Sequence, residues 1–416
     1  MMRITSRLVF CWALLALPMA TLAAAPEVNN GAEPSQPVQI MPMEELWRIG
    51  GLDDDENLLG VVNKVFSDDE GQLYLLDIQL TEVQVFDTEG QYVHSLGKRG
   101  DGPGELRFVT DALILPDGTV GLVQPFPGKI VKVDREGVPA GELRPGGDDP
   151  TKGGFFAVRS AAAVGDELVI SGLKISRGEK SRTATNFIGQ LGLDGSEGQH
   201  YLEMVNIREF GNRSVVEKDE FFPHENGWAL SPNGDVVIAP LRNEYRLEVH
   251  APDGTLRLVI TRQYESLKRT EADLERAKAM MMPWRRRNRS SIEFAMEPTE
   301  PDIVQFHVAD DGRIWVLPSR GERDQPEGVH STWDVFTADG NFERQVAFAC
   351  DADGQQDALF FPGGDLVVVV KEHKEALWAF QARGADNPDE EAEEAEPSPL
   401  EVICYRISPT LGRAAE

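Results

Sequence analysis

Positive charge, cysteine and long apolar runs are all scarce in this chain, and each scarcity removes a class of function. Lys and Arg number 41 against 70 Asp and Glu in 416 residues, a formal net charge of −29. Binding to nucleic acid needs a concentrated basic surface, so no nucleic-acid partner is expected. Three cysteines are too few for a disulfide-stapled framework or a cysteine zinc site, and neither H-E-x-x-H nor G-x-S-x-G occurs. The longest apolar run, residues 8–17, is too short to span a bilayer.

That run has a different use. Arg3 and Arg7 precede it and small residues (Thr21, Ala23, Ala24, Ala25) follow, the layout of an export signal over residues 1–23. Cleavage after Ala23 gives a periplasmic or secreted mature chain with no transmembrane segment. It keeps Cys350 and Cys404, for which a disulfide and two buried thiols are both open readings. Residues 24–42, rich in Pro and polar side chains, read as an extended, poorly ordered leader.

What the chain does contain is turns. In residues 73–108 three short β-patterned runs, Leu73–Asp77, 82–87 and Tyr92–Leu96, are separated by turn residues, and 61–67 adds a fourth just upstream. One small twisted sheet cannot bury both faces, so copies are required. They are found by their first hairpin turns, at Gly71, Gly118, Gly165-Asp166, Gly234, Gly312 and Gly363-Gly364, each flanked by apolar strands. Where loops are short the interval is 47–52 residues, the length of a four-stranded propeller blade. The fold class is therefore all-β, a six-bladed β-propeller over residues 43–416.

The strand-like 45–51 (ELWRIGG) stands alone ahead of blade one. It is expected to close the ring by pairing with 402–406 as the outer strand of the last blade. Surplus length falls in loops at 174–185, 266–301, 319–332 and 383–399, all on the face that carries the blade-to-blade connections. Of these, 266–301 carries a helical insertion between blades four and five. Thr270 and Asp273 form a capping box there, and Pro283 ends the run.

The strand LYLLD, the following VQVFDTEG and the loop GKRGDGPGELRF resemble an NHL-type repeat of the six-bladed propeller superfamily. The GDGPGE segment leads into a strand and lacks a Lys-Ser/Thr end, so it reads as a turn and not a phosphate loop. The resemblance implies the fold; superfamily members include lactonases, a lyase and binding scaffolds, among which fold alone does not choose.

Seven residues before each turn stand Lys64, Asp111, Arg159, Gly227, Gln305 and Asp357. Strand alternation directs this position to the central channel. Asp357, Lys64, Asp111 and Arg159 then alternate in sign round the ring. One reading is a salt-bridge belt that closes the channel. The other is a mouth for a polar or zwitterionic ligand beside the gap at Gly227, with Glu225, Asn226, Gln305 and His307 near it. Metal-dependent lactonases of this fold hold a cation at that mouth. Asn63, Asp111, Asn226 and Asp357 are the oxygen donors available for calcium here, but Lys64 and Arg159 oppose a cation, so no cofactor is expected. His224 and Glu225 are the acid–base candidates. Trp284, Arg285, Arg286, Arg287 and Arg289 form a basic patch, either facing an anionic envelope partner or paired with the protein's own carboxylates. The acidic run 389–396 reads as a solvated loop.

The expectation is an exported, non-catalytic binding or scaffold propeller of the bacterial envelope. Its partner would be an envelope protein, a glycan or a small polar ligand on the face with the long insertions. The alternative is a metal-dependent lactonase-like hydrolase, or a lyase, with its site at the channel mouth.

Overall fold

The computed structural model describes residues 25–52, 59–146, 155–281, 292–323, 325–383 and 400–407. Six antiparallel blades follow one another along the chain, at 62–96, 111–143, 155–209, 228–262, 303–349 and 358–407, the last two joined through Gln39–Gly50 into one eight-stranded sheet. Each blade buries both faces against its neighbours, which is why Leu73–Asp77 is buried at every position. Apolar seams fill the joins between successive blades. One holds Val123, Val158 and Ile170 between blades two and three, and another holds Phe306, Val316 and Leu247 between blades four and five. Ring closure joins the last blade to the first, so Val368 and Val402 share a seam with Val65 and Leu75.

The turns repeat a local device. Asp68 Oδ1 accepts from the amides of Glu70 (3.0 Å) and Gln72 (2.9 Å), and Asp87 does the same for Glu89 and Gln91 at 2.9 and 2.8 Å. Gly71 sits at φ 81°, where a side chain would be strained. GDGPGE is a turn held by its own carboxylate. Glu105 Oε2 accepts from the Gly102 amide at 2.9 Å, and a Cβ on Gly100 would lie 2.0 Å from that oxygen.

The closing strand lies where the sequence puts it. Within Gln39–Gly50, Glu44 pairs with Arg406, Trp47 with Cys404 and Ile49 with Val402, antiparallel. The residues before it differ from expectation. Instead of a loose leader, Glu27–Asn30 runs parallel to the outer strand of blade four, and Gln39–Pro42 runs parallel to that of blade five. Asn30 ties the two blades, donating to Thr261 O (3.0 Å) and Gly340 O (2.9 Å) and accepting from the Phe342 amide (2.8 Å). Residues 25–50 thus form a strap across blades four, five and six. Free edge groups on those outer strands give the strap backbone partners, while Pro34 and Pro37 fall between its paired segments.

Two insertions also differ. Residues 174–185 are not a loop but the tip of a β-wing, because blade three has strands of 11, 11 and 13 residues where blade one has 5, 5 and 5. The Glu271–Met280 helix is capped as expected, with Thr270 and Asp273 bonded reciprocally. A second helix, His373–Arg383, fills the loop of blade six, so the fold carries more than the one helical insertion foreseen. Its sequence is mostly strong helix formers, but no capping box marks its start. No helix among the described residues is long and apolar enough to cross a membrane.

Candidate functional site

The first strand of each blade is its innermost, and Val62 pairs with Asp77, which places the starts of these strands on the face with the connections. There, side chains from four successive blades meet. Lys64 Nζ lies 2.6 Å from Asp111 Oδ1, and Asp111 Oδ2 accepts from the Ala161 amide at 2.8 Å. One residue earlier, the Ser160 hydroxyl donates to the His224 carbonyl, which also accepts from Trp228 Nε1 at 2.9 Å. The chain of contacts runs from blade one through two and three to blade four.

Arg159 and Glu225 stand one residue beyond the two ends of the Ser160–His224 contact. Their charges act on each other, yet neither side chain makes a hydrogen bond or ion pair among the described residues. Arg159 is the extra residue of a β-bulge, since Val158 pairs with Gly172 and Ser160 with Ser171. A bulge re-aims its side chain, here into the open mouth. Glu225 is reachable by water but encircled by protein. That enclosure raises its carboxyl above the usual range; the Asp111 charge pushes the same way and Arg159 opposes.

The alternation of sign is therefore Lys64, Asp111, Arg159, Glu225. The place read as a gap at Gly227 is filled two residues earlier. Gly227 itself has no room for a side chain, because a Cβ would lie 2.4 Å from that of Pro223.

Both ring nitrogens of His224 are already engaged. Its Nε2 faces Asn186 Oδ1 at 3.0 Å and Nδ1 faces the Ser171 hydroxyl at 2.7 Å. With Asn186 Oδ1 able only to accept, Nε2 carries the proton and Nδ1 accepts from Ser171. Burial, aided by the Arg159 charge, lowers the imidazole to about 3.

Two expected ring members, and His307 near them, are engaged elsewhere. Asp357 is buried and accepts from the backbone amides of Asp353 (2.8 Å) and Glu372 (2.9 Å), so it does not pair with Lys64. Gln305 donates to Leu359 O at 3.4 Å, and His307 stacks on Phe361 at 4.8 Å, in the seam between blades five and six. Asp357 is taken up by backbone amides at the start of its strand, and His307 lies on a strand face packed against the next blade. Asn226 is exposed beside Glu225. The basic patch Trp284–Arg289 and the acidic run 389–396 lie outside the described residues.

The oxygen donors considered for calcium do not converge either. Asn63 donates to Thr110 O at 3.4 Å, while Asp111 is committed to Lys64 and to the Ala161 and Ala112 amides. Among the described residues no group of three or more His, Cys, Asp or Glu is placed to hold a metal ion. A second concavity of about 360 Å³ is lined by Cys350, Asp351, Asp353, Asp357, Lys371 and Glu372. Asp353 and Asp357 there serve backbone amides, and burial pushes the Cys350 thiol up to about 11, so it is not a reactive thiolate.

On the same face, over blades four to six, the insertions lock together. Glu217 bonds Arg242 (2.8 Å) and Arg269 (2.7 Å), and Arg269 reaches Glu300 (3.0 Å). Arg323 bonds Asp273 of the Glu271–Met280 helix at 2.8 Å and holds its carboxyl well below the usual range. Lys374 of the second helix bonds Glu322 at 2.9 Å.

A family model described as a 6-bladed beta-propeller matches residues 53–143, and no curated protein matches the sequence. Similar solved structures include a Bacteroides fragilis protein described as exported, at 10% identity over 92% of this chain and 99% of that one, TM-score 0.48. Virginiamycin B lyase from Staphylococcus aureus is 11% identical over 87% and 99%, TM-score 0.41. The calcium-binding protein regucalcin from Agrobacterium tumefaciens is 14% identical over 89% and 97%, TM-score 0.40. At these identities and scores none of the three informs ligand or activity here.

Proposed function

We propose that this chain is an exported, non-catalytic binding propeller of the bacterial envelope that holds a small zwitterionic ligand at its channel mouth. The observation that carries the reading is the unpaired juxtaposition of Arg159 and Glu225. Two opposite charges that act on each other at the mouth, exposed and not bonded to each other, leave both groups free to be met by one ligand carrying both signs. A ligand carboxylate would meet the guanidinium, which suits it geometrically, and a ligand ammonium would meet Glu225. Bound in this way, an ammonium also favours the ionised form of Glu225. The paired Lys64 and Asp111 form the adjoining wall. Export rests on the signal-like layout of residues 1–23.

Isothermal titration with glycylglycine tests the reading, with acetate and methylamine as its separate halves. Only the zwitterion should bind, and Arg159→Ala or Glu225→Ala should each weaken it about tenfold or more. Equal binding by both variants would refute it.

A second reading, a lyase, has one observation in its favour. A carboxyl raised above its usual range beside a cation is an arrangement found in proton-transferring bases. Turnover abolished by Glu225→Gln, with ligand affinity retained, would decide for it.

A further inference from the structure

The tip of the blade-three wing carries an arrangement that the channel mouth does not explain. Arg177 pairs directly with Arg182, and Arg182 directly with Arg208, across three adjacent strands. Directly opposite residues of an antiparallel sheet share a face with Cβ atoms about 5 Å apart, and like charges so placed destabilise the sheet. In a chain of net charge −29, three guanidiniums in a row are not what random surface composition supplies.

Their compensation is incomplete. Arg208 pairs with Glu220, and Arg177 lies over the Phe210 ring at 4.9 Å, which shields one face but leaves its charge. Arg182, between them, has a buried Nε with no hydrogen-bond partner among the described residues. Neither Arg177 nor Arg182 has a carboxylate partner there, so two positive charges await one anion. A carboxylate would neutralise only one. A phosphomonoester brings about −1.5 to −2 at pH 7 and three acceptor oxygens, enough for two guanidinium forks.

We propose that the Arg177–Arg182–Arg208 ladder is a binding site for a phosphomonoester group. Arg177 and Arg182 grip the phosphoryl oxygens, while Arg208, fixed by Glu220, orients the row. Arg177 at the tip is exposed and Arg182 half-buried, so the row is reached from the tip, while residues 219 and 220 cover the Arg208 end. The site rests on no part of the channel-mouth reading.

Phenyl phosphate and sulfate, titrated into the full chain at constant ionic strength, provide the test. Phenyl phosphate should bind more tightly than sulfate, and should weaken as pH falls below about 6, where its second proton returns. Arg182→Gln should weaken phenyl phosphate at least about tenfold while leaving glycylglycine binding unchanged. Without ligand, Arg182→Gln should melt at or above the wild-type temperature, because it relieves repulsion. A lower melting temperature would mean a structural arginine and overturn the site. Arg177→Gln, farther out on the tip, repeats the binding test independently of that fold. Vesicles of phosphatidylcholine with phosphatidic acid separate a lipid headgroup from a soluble phosphoester, and capture in either arm supports the proposal. No binding in both arms, or equal binding by both variants, would refute it.

Discussion

Blades four to six and blades one to three are built alike and finished differently. The outer strands of blades four to six are covered by the strap of residues 25–50, and their connecting face carries two helices joined through Arg323–Asp273 and Lys374–Glu322. The outer strands of blades one to three, Tyr92–Leu96, Pro139–Leu143 and Glu197–Glu209, bear no further strand among the described residues. Yet those blades supply Lys64, Asp111 and Arg159 to the mouth, and Glu225 stands at the border. The covered half closes and stiffens the ring; the open half presents charge to solvent.

Removing the strap's closing section should break this contrast most severely. Deletion of residues 43–50 takes away the outer strand of blade six and reopens the ring, and the single cooperative unfolding transition in calorimetry should be lost. An unchanged transition would mean that the covered half owes little to its strap.

Acid should act next, and unevenly. Burial lowers His307, His330 and His373, all in blades five and six, to about 4. Their folded values lie below the unfolded imidazole value of about 6.5. The fold therefore has their full contribution above that pH and loses it as pH falls from about 6.5 to about 4. Hydrogen exchange at pH 5 should show blades five and six opening ahead of blades one and two. Uniform opening would contradict it.

The repeat was legible because turns are local. D-x-x-G hairpins and largely apolar strands such as LYLLD state a four-stranded unit within a few residues of each turn. The strap was not, because Glu27–Asn30 is largely polar and only half buried, and the proline content of residues 25–42 reads as disorder. The mouth was half legible. Lys64 and Asp111 pair as their spacing suggests, but the bulge that carries Arg159 into the mouth exists only once strands are in register. Glu225 carries no periodic signal because it precedes its strand, and its place is set by the Ser160–His224 contact.

Smaller effects sharpen the mouth itself. Lys64→Met strands the Asp111 carboxylate, which is 8% exposed, and should lower stability by about 2 kcal/mol. That is less than for a fully buried pair, because Lys64 is itself 32% exposed. Denaturant melts would check it, and a neutral result would make the pair incidental. Glu225→Gln should work in the opposite sense. A carboxyl raised by the fold opposes folding when ionised, so the variant should gain thermal stability above the raised pKa. That gain should vanish as pH falls through the usual carboxylate range. A loss of stability at neutral pH would show that the ionised Glu225 already has a partner.

The most direct test of the account is to exchange the two charges at the mouth. Arg159→Glu and Glu225→Arg should each abolish glycylglycine binding in isothermal titration, by placing like charges side by side. The double variant restores one cation and one anion and should recover binding to within about tenfold, with the ligand reversed. Wild-type affinity in either single variant, or a double variant as silent as the singles, would contradict the claim that this pair holds a zwitterion.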